Sequence, residues 1–116
     1  MTQIFLTDEQ RVQLLANGRA RAEDPNSDPQ PVVMFFTPDA HATWVVAALD
    51  PQDEDLAHGL IDLGLGTPEA GDMRLSMLAG IRGPRGLAVL RDLHFVGKHP
   101  LSEYVRMAIE NGSFIE

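Results

Sequence analysis

Two carboxylates flank a glycine-rich segment, and their spacing is the first feature that suggests chemistry. Asp62 precedes Gly64 and Gly66, and Glu69 follows Pro68. Carboxylates on either side of a tight loop can act as general acid and general base on a substrate held between them. Nothing in the segment specifies a substrate, and no serine of the chain sits in a Gly-x-Ser-x-Gly elbow. The residues favour a non-enzymatic protein, and a small enzyme using the Asp62–Glu69 loop is the alternative.

The same glycines do not complete a nucleotide-binding motif. Gly64-Leu65-Gly66 begins a dinucleotide pattern, but the position of the third glycine holds Glu69 and no lysine follows. A phosphate would also be repelled by the neighbouring acids. We instead expect a tight turn in which at least one of Gly64, Gly66 and Gly71 has a positive φ.

An acidic stretch supplies candidate metal ligands. Asp53, Asp55 and His58 carry suitable donors, and Asp53-Glu54-Asp55 resembles the start of a calcium loop, but the required glycine and later glutamate are missing. The four histidines form no His-Glu-x-x-His pair, and the absence of cysteine excludes disulfides, thiolate nucleophiles and Cys-based metal sites. We expect neither a metal nor a cofactor.

Local signals place two of the helices that must support these residues. Thr7 and Gln10 form a capping box that predicts a helix over about residues 8–20, with Gly18 near its end. Three prolines make Glu23 to Pro31 a loop. Near the other end, Pro100 suits the first turn of a helix over 101–111, which Gly112 can cap.

The segment between these helices predicts a small sheet. β-Branched and aromatic runs predict strands over 32–37, 43–49, 57–65 and 87–92, with an acidic loop at 50–55, a glycine loop at 64–72 and a short helix over about 75–81. The order α-β-β-β-α-β-α predicts an α+β domain: a mostly antiparallel sheet of about four strands with helices packed on one face. We expect one core cluster containing the large apolar residues Leu15, Phe36, Trp44, Leu63, Val89 and Tyr104.

Length and composition are those of one ordinary globular domain over residues 1–116. Hydrophobic residues make up 44% and charged residues 22%, so wholesale disorder is not expected. No apolar run approaches the length of a membrane span, and no basic region followed by an apolar stretch indicates a secretory signal. We expect a cytoplasmic protein without membrane contact, and the sequence does not determine its oligomeric state.

Charge is distributed unevenly along the chain. The net charge is −8, and residues 22–73 contain eleven acids and no lysine or arginine. Such asymmetry indicates either solubilising acids that pair with the later arginines or an acidic face that meets a protein with a basic surface. Direct binding of nucleic acid is not expected because the global field repels phosphate. The candidate acidic face comprises Asp50, Asp53, Glu54, Asp55, Asp62, Glu69 and Asp72.

Several fragments in one order resemble a known family. The most specific is Asp-Leu-Gly-Leu-Gly-x-Pro-Glu-x-Gly at 62–71, accompanied by Leu-Leu-Ala-Asn-Gly (14–18), Thr-Trp (43–44), Arg-Asp-x-x-Phe (91–95) and Leu-Ser-x-Tyr (101–104). Together they resemble the bacterial domain of unknown function catalogued as family 2958, over nearly the whole chain. The resemblance implies a small cytoplasmic protein of a plasmid, conjugative element or prophage, with no catalytic residue to carry over.

This chain departs from the pattern expected of that family at several polar positions. We expect a basic residue where Met34 stands, an acid at Ala48, an aromatic at Thr67 or Asp72, and Glu at Met77. Loss of polar residues favours binding over catalysis. We therefore expect a non-enzymatic accessory factor of a mobile genetic element, such as an acidic inhibitor of a host defence (restriction or CRISPR) nucleoprotein.

Overall fold

An antiparallel sheet of five strands forms the centre of the fold in a computed structural model that describes residues 6–116. In chain order the strands are β1 (Val33–Phe36), β2 (Thr43–Asp50), β3 (Asp53–Asp62), β4 (Glu69–Arg74) and β5 (Leu90–Arg91). Their order across the sheet is β4-β3-β2-β1-β5. The predicted α+β class with an antiparallel sheet is confirmed, with five strands in place of four.

Three helices accompany the sheet at the predicted places: α1 (Asp8–Glu23), α2 (Leu75–Gly80) and α3 (Leu101–Asn111). The capping box of α1 is confirmed, because Thr7 Oγ1 accepts from the Gln10 amide at 3.1 Å and Gln10 Oε1 accepts from the Thr7 amide at 3.0 Å. Gly112 ends α3 in the left-handed conformation, as expected. The local chemistry of these helix ends is therefore readable from sequence.

The strand missed by the sequence analysis is β4, which begins inside the predicted glycine loop and includes its residues 69–72. Of its residues only Met73 is buried, so the segment lacks the apolar alternation that identifies a strand. It forms the edge of the sheet and pairs with β3, from Ile61↔Glu69 to Leu56↔Arg74. An edge strand held mainly by backbone hydrogen bonds needs few apolar side chains.

Two further strand boundaries differ from the prediction. The acidic loop over 50–55 is a tight turn, because Asp50 pairs with Asp53 and β3 starts there. Acidic side chains obscured this strand start, although an exposed strand end tolerates them. The predicted fourth strand over 87–92 is regular only at Leu90–Arg91, with an isolated bridge from Ala88 to Arg82.

The prediction that the helices pack on one face of the sheet is wrong. Leu14 of α1 and Leu78 of α2 pack with Phe35 and Trp44 on one face. On the opposite face, Tyr104 of α3 packs with the alternating strand residues Met34, Val45, Ala47 and Leu60. The reason is visible in β2, which is buried at every position from Trp44 to Leu49 and must be covered on both sides.

The single predicted core cluster divides in the same way. Trp44, Val89 and Leu15 belong to the α1 side, whereas Phe36 and Tyr104 belong to the α3 side. Leu63 lies outside both clusters, because β3 ends at Asp62 and leaves the Leu63 side chain 54% exposed. Burial of Trp44, which is 3% exposed, agrees with its assignment to the core.

A close contact between α1 and β2 fixes the position of the helix over the sheet. A Cβ atom at Gly18 would lie 1.7 Å from the carbonyl oxygen of Leu49, so only glycine permits this approach. One residue earlier, Asn17 Nδ2 donates to the carbonyl oxygen of Ala47 at 2.8 Å, where the β2–β3 register shifts. The C-terminal part of α1 is thereby held over the end of β2.

Candidate functional site

Five of the seven candidate acids lie toward the end of the sheet where β2 turns into β3. We call this group the acidic end, and it consists of Asp50, Asp53, Glu54, Asp55 and Asp72. The turn and the start of β3 hold the first four, and the pairing of β4 with β3 adds Asp72 opposite His58. Residues 22 positions apart in sequence are thus brought to one region by hairpin pairing.

Part of this charge is paired within the molecule. Arg74 Nη1 lies 3.0 Å from Asp53 Oδ2 and 3.6 Å from Asp55 Oδ2. Arg11 of α1 lies 3.5 Å from Glu54 Oε1. Five acids and two arginines leave an excess of negative charge at the acidic end. Pairing with arginine therefore neutralises some of these acids but not all of them.

Asp55 also begins helix α2. Its carboxylate accepts from the Ser76 amide at 2.9 Å and from the Ser76 hydroxyl at 2.7 Å. The Ser76 hydroxyl, with the Ser76 amide and Arg74, lowers the pKa of Asp55 below its ordinary value against the opposing effect of desolvation. Asp55 therefore has a structural role besides contributing charge.

Asp62 and Glu69 lie at the other end of β3 and do not extend the acidic end. Asp62 is only 4% exposed, so its side chain points inward and not into solvent. Asp62 Oδ1 accepts from the Gly64 amide at 2.9 Å, and Oδ2 accepts from the Phe114 amide at 2.7 Å. Both oxygens are thus used to hold backbone. The seven candidate acids do not form one continuous face.

The glycine turn itself has the conformation that the sequence predicted. Gly64 and Gly66 have φ values of 78° and 83°, whereas Gly71 lies within β4. Asp62 lines a groove beside this turn together with His41 and Phe114, but Glu69 is not part of its wall. The two carboxylates of the Asp62–Glu69 loop do not converge on a shared cavity.

A histidine–aspartate pair was missed by the sequence analysis. His58 Nδ1 lies 2.8 Å from Asp72 Oδ1, across the β3–β4 ladder. Of the two neutral tautomers, a carboxylate facing Nδ1 favours the one with the proton on Nδ1, in which Nε2 is an acceptor. The pair depends on β4, and no local sequence signal identifies two residues that lie 14 positions apart.

This pair forms one wall of a cavity of about 260 Å³ between the end of α1 and the sheet. Arg21 of α1 and Asp50 at the end of β2 line the same cavity as His58 and Asp72. The remaining walls are backbone and apolar groups, among them those of Gly18, Ala22, Leu49, Pro51 and Leu56. Charges of both signs thus line this cavity. A second cavity, of about 300 Å³, shares Arg21 and His58 with it.

The structure also bears on metal binding and on membrane insertion. Within residues 6–116, His, Asp and Glu side chains nowhere gather in a group of three that could hold a metal ion. Asp53 and Asp55 both contact Arg74, whereas His58 contacts Asp72, so the histidine does not share a partner with the two aspartates. No helix in that part of the chain is both long and apolar enough to span a bilayer.

The fold and these sites define a small α+β protein with an acidic end and a cavity of mixed charge. The family described as "Protein of unknown function (DUF2958)" matches residues 5–115, and the chain belongs to this family. The resemblance inferred from the sequence fragments is confirmed. No curated protein and no solved structure matches the chain.

Proposed function

We propose that this protein is a non-enzymatic accessory factor that binds a protein partner with a basic surface through its acidic end. The observation that carries the proposal is the gathering of Asp50, Asp53, Glu54 and Asp55 at the turn from β2 to β3, with Asp72 added through the cavity that it lines together with Asp50. The two arginines that pair there do not balance them. A local excess of charge on a protein of net charge −8 attracts a basic surface over several ångströms.

The exposure of these acids supports a docking role. The Glu54 and Asp72 side chains are 54% and 62% exposed, so a partner can reach them without rearrangement of the sheet. Charges in this position act mainly on the rate of encounter and on the choice of partner. The Asp62–Glu69 loop offers less support for an enzyme, because both oxygens of Asp62 accept from backbone amides.

The partner class follows from the sign of the charge. A surface that normally holds nucleic acid is basic, and an acidic protein can occupy it in place of phosphates. In this proposal the protein is cytoplasmic, belongs to a mobile genetic element and inhibits a host defence nucleoprotein of the restriction or CRISPR type. Nucleic acid itself is not a partner, since like charges repel.

The proposal is tested by capture with charge variants. The full chain, an Asp53→Asn/Glu54→Gln variant and a Glu110→Gln/Glu116→Gln control are immobilised and exposed to a lysate of the native host. The control removes the same charge away from the acidic end, and Glu110 is paired with Arg106 much as Glu54 is with Arg11. Mass spectrometry should identify a basic protein retained by wild type and control but lost with the first variant.

Equal capture by all three proteins would contradict the proposal. Both substituted pairs keep side-chain shape and hydrogen-bonding oxygens, so all three proteins should fold. The first variant spares Asp55, which begins α2, and Asp50 and Asp72, which line the cavity. Circular dichroism of the three proteins checks that the fold is unchanged.

A further inference from the structure

The cavity between α1 and the His58–Asp72 pair contains opposite charges that do not pair with one another. Arg21 forms no ion pair with any carboxylate of residues 6–116, in contrast to Arg11, Arg74 and Arg106. Asp50 accepts only from the Gln52 amide, at 2.8 Å, and contacts no cation in that same part of the chain. Both side chains are half-buried.

Half-buried charges that lack an ion-pair partner are unfavourable, because the protein removes part of their water and supplies no opposite charge in contact with them. Here the backbone holds them apart. Gly18 fixes α1 against Leu49, one residue before Asp50, and Arg21 follows one turn later on the same helix. Arg21 and Asp50 therefore line the same cavity without forming an ion pair across it.

The arrangement disfavours ligands that carry a single charge. An anion bound to Arg21 meets Asp50 and Asp72 in the same cavity, and a cation bound to the two aspartates meets Arg21. A ligand that carries both charges satisfies all three groups. Charge-assisted hydrogen bonds to guanidinium and carboxylate are among the stronger polar contacts, and a planar carboxylate matches the guanidinium fork.

We propose that this cavity binds a free α-amino acid, with its carboxylate on Arg21 and its ammonium on Asp50 and the His58–Asp72 pair. Nε2 of His58 is the acceptor available to an ammonium in the tautomer that Asp72 favours. Leu49, Leu56 and Ala57 supply apolar wall for a side chain. The volume of about 260 Å³ lies near the lower end for ligand pockets, which suits a ligand of this size.

The inference goes beyond the proposed protein contact and is tested without any partner. The probes are L-leucine, 4-methylpentanoate and 3-methylbutylamine, which share one apolar group and differ in whether they carry both charges, the carboxylate or the ammonium. Each is titrated into the ¹⁵N-labelled full chain, and the amide signals of Gly18, Ala48 and Leu49 are followed by NMR. We expect a saturable shift with leucine at millimolar concentration, and binding at least about tenfold weaker for each single-charge probe.

Variants distinguish the cavity from non-specific association. Arg21→Gln and Asp50→Asn should each weaken leucine binding about tenfold or more, because each removes one charged contact and leaves the cavity its shape. Asp50→Asn keeps the oxygen that accepts from Gln52, and Arg21 holds no ion pair in residues 6–116, so both variants should fold. Arg19→Gln, an exposed arginine on the same helix, is the matched control.

Three results would each overturn the inference. They are the absence of a saturable shift at the cavity amides with leucine, equal binding of a single-charge probe, and leucine binding that Arg21→Gln leaves unchanged. Binding lost equally in Arg19→Gln would also overturn it, because it would show a general effect of charge on α1. None of these results bears on whether the acidic end docks a protein, so the two proposals fail independently.

Discussion

At the scale of single residues, Gly18 determines how closely α1 packs on β2. Its missing side chain lets α1 approach β2 until the Leu49 carbonyl oxygen occupies the place where a Cβ would lie. The same contact positions Arg21 over the cavity. The absence of a side chain at Gly18 therefore allows both the packing of α1 and the geometry of the cavity.

Gly18→Ala should destabilise the protein by about 2 kcal/mol or more, because the new methyl group forces α1 away from the sheet. Helix propensity alone would give the opposite sign, since alanine is favoured over glycine by about 1 kcal/mol. Gly80→Ala in α2 is the matched control, as a Cβ there meets no atom within 4 Å. Urea unfolding should show a loss for Gly18→Ala and no loss for Gly80→Ala; equal midpoints for both would refute the packing argument.

Trp44 is the second residue whose substitution should be costly. It is 3% exposed and packs with Phe35 and Val46 on the α1 side of the sheet. Trp44→Ala should lower the free energy of unfolding by about 3–5 kcal/mol through lost contacts and the cavity left behind. A loss below about 1 kcal/mol in chemical denaturation would be incompatible with burial of Trp44 in the core.

At the scale of elements, sequence signals succeeded where an element is determined by its own residues. The capping box of α1, the glycine after α3 and the turn at Gly64 and Gly66 were all predicted. Such features depend on contacts within a few residues, which the sequence displays directly. The same holds for the two apolar strands β1 and β2.

Elements that depend on a neighbour were not predicted. Strand β4 exists because β3 lies beside it, and its own residues read as a loop. The His58–Asp72 pair of the candidate site follows from that missed strand. Asp28 reaches Ser102 at the start of α3 from 74 residues away, within a loop that showed no anchor in the sequence. Contacts between distant segments leave no local pattern.

The start of α2 provides a pH-dependent prediction. Because Ser76 lowers the pKa of Asp55 in the folded state, the unfolded chain takes up this proton first as the pH falls. The stabilisation is present above about pH 4, the ordinary range of an aspartate, and is lost as the pH falls through the folded pKa. Urea unfolding of wild type should therefore weaken more steeply on acidification than that of Asp55→Asn.

Ser76→Ala should reduce the same pH dependence, because it removes the hydroxyl that contributes most to the lowered pKa of Asp55. Profiles of wild type and Asp55→Asn that run parallel between about pH 3 and 6 would show that Asp55 contributes nothing to acid sensitivity.

At the scale of the whole molecule, folding brings the basic part of the chain back onto the acidic part. Arg74 is the first base after residues 22–73, and it returns to Asp53 and Asp55 through the β3–β4 hairpin. The sequence analysis left open whether the acids pair internally or form a face. The structure shows internal pairing at Asp53, Glu54 and Asp55, with unbalanced charge remaining around them. Internal pairing thus accounts for part of the acidic end, and docking of a basic protein by the remaining charge stays a prediction.

The most direct test of the central claim is the association rate of the chain with the captured basic partner, measured at about 50 and 500 mM salt. Screening at the higher concentration shortens the field to a few ångströms, so the rate should fall for wild type and for the Glu110→Gln/Glu116→Gln control. Asp53→Asn/Glu54→Gln should already be slow at low salt and should depend less on salt, with dissociation changed less than association. An association rate unchanged by both salt and the Asp53→Asn/Glu54→Gln substitution would contradict the claim that the acidic end is the docking surface.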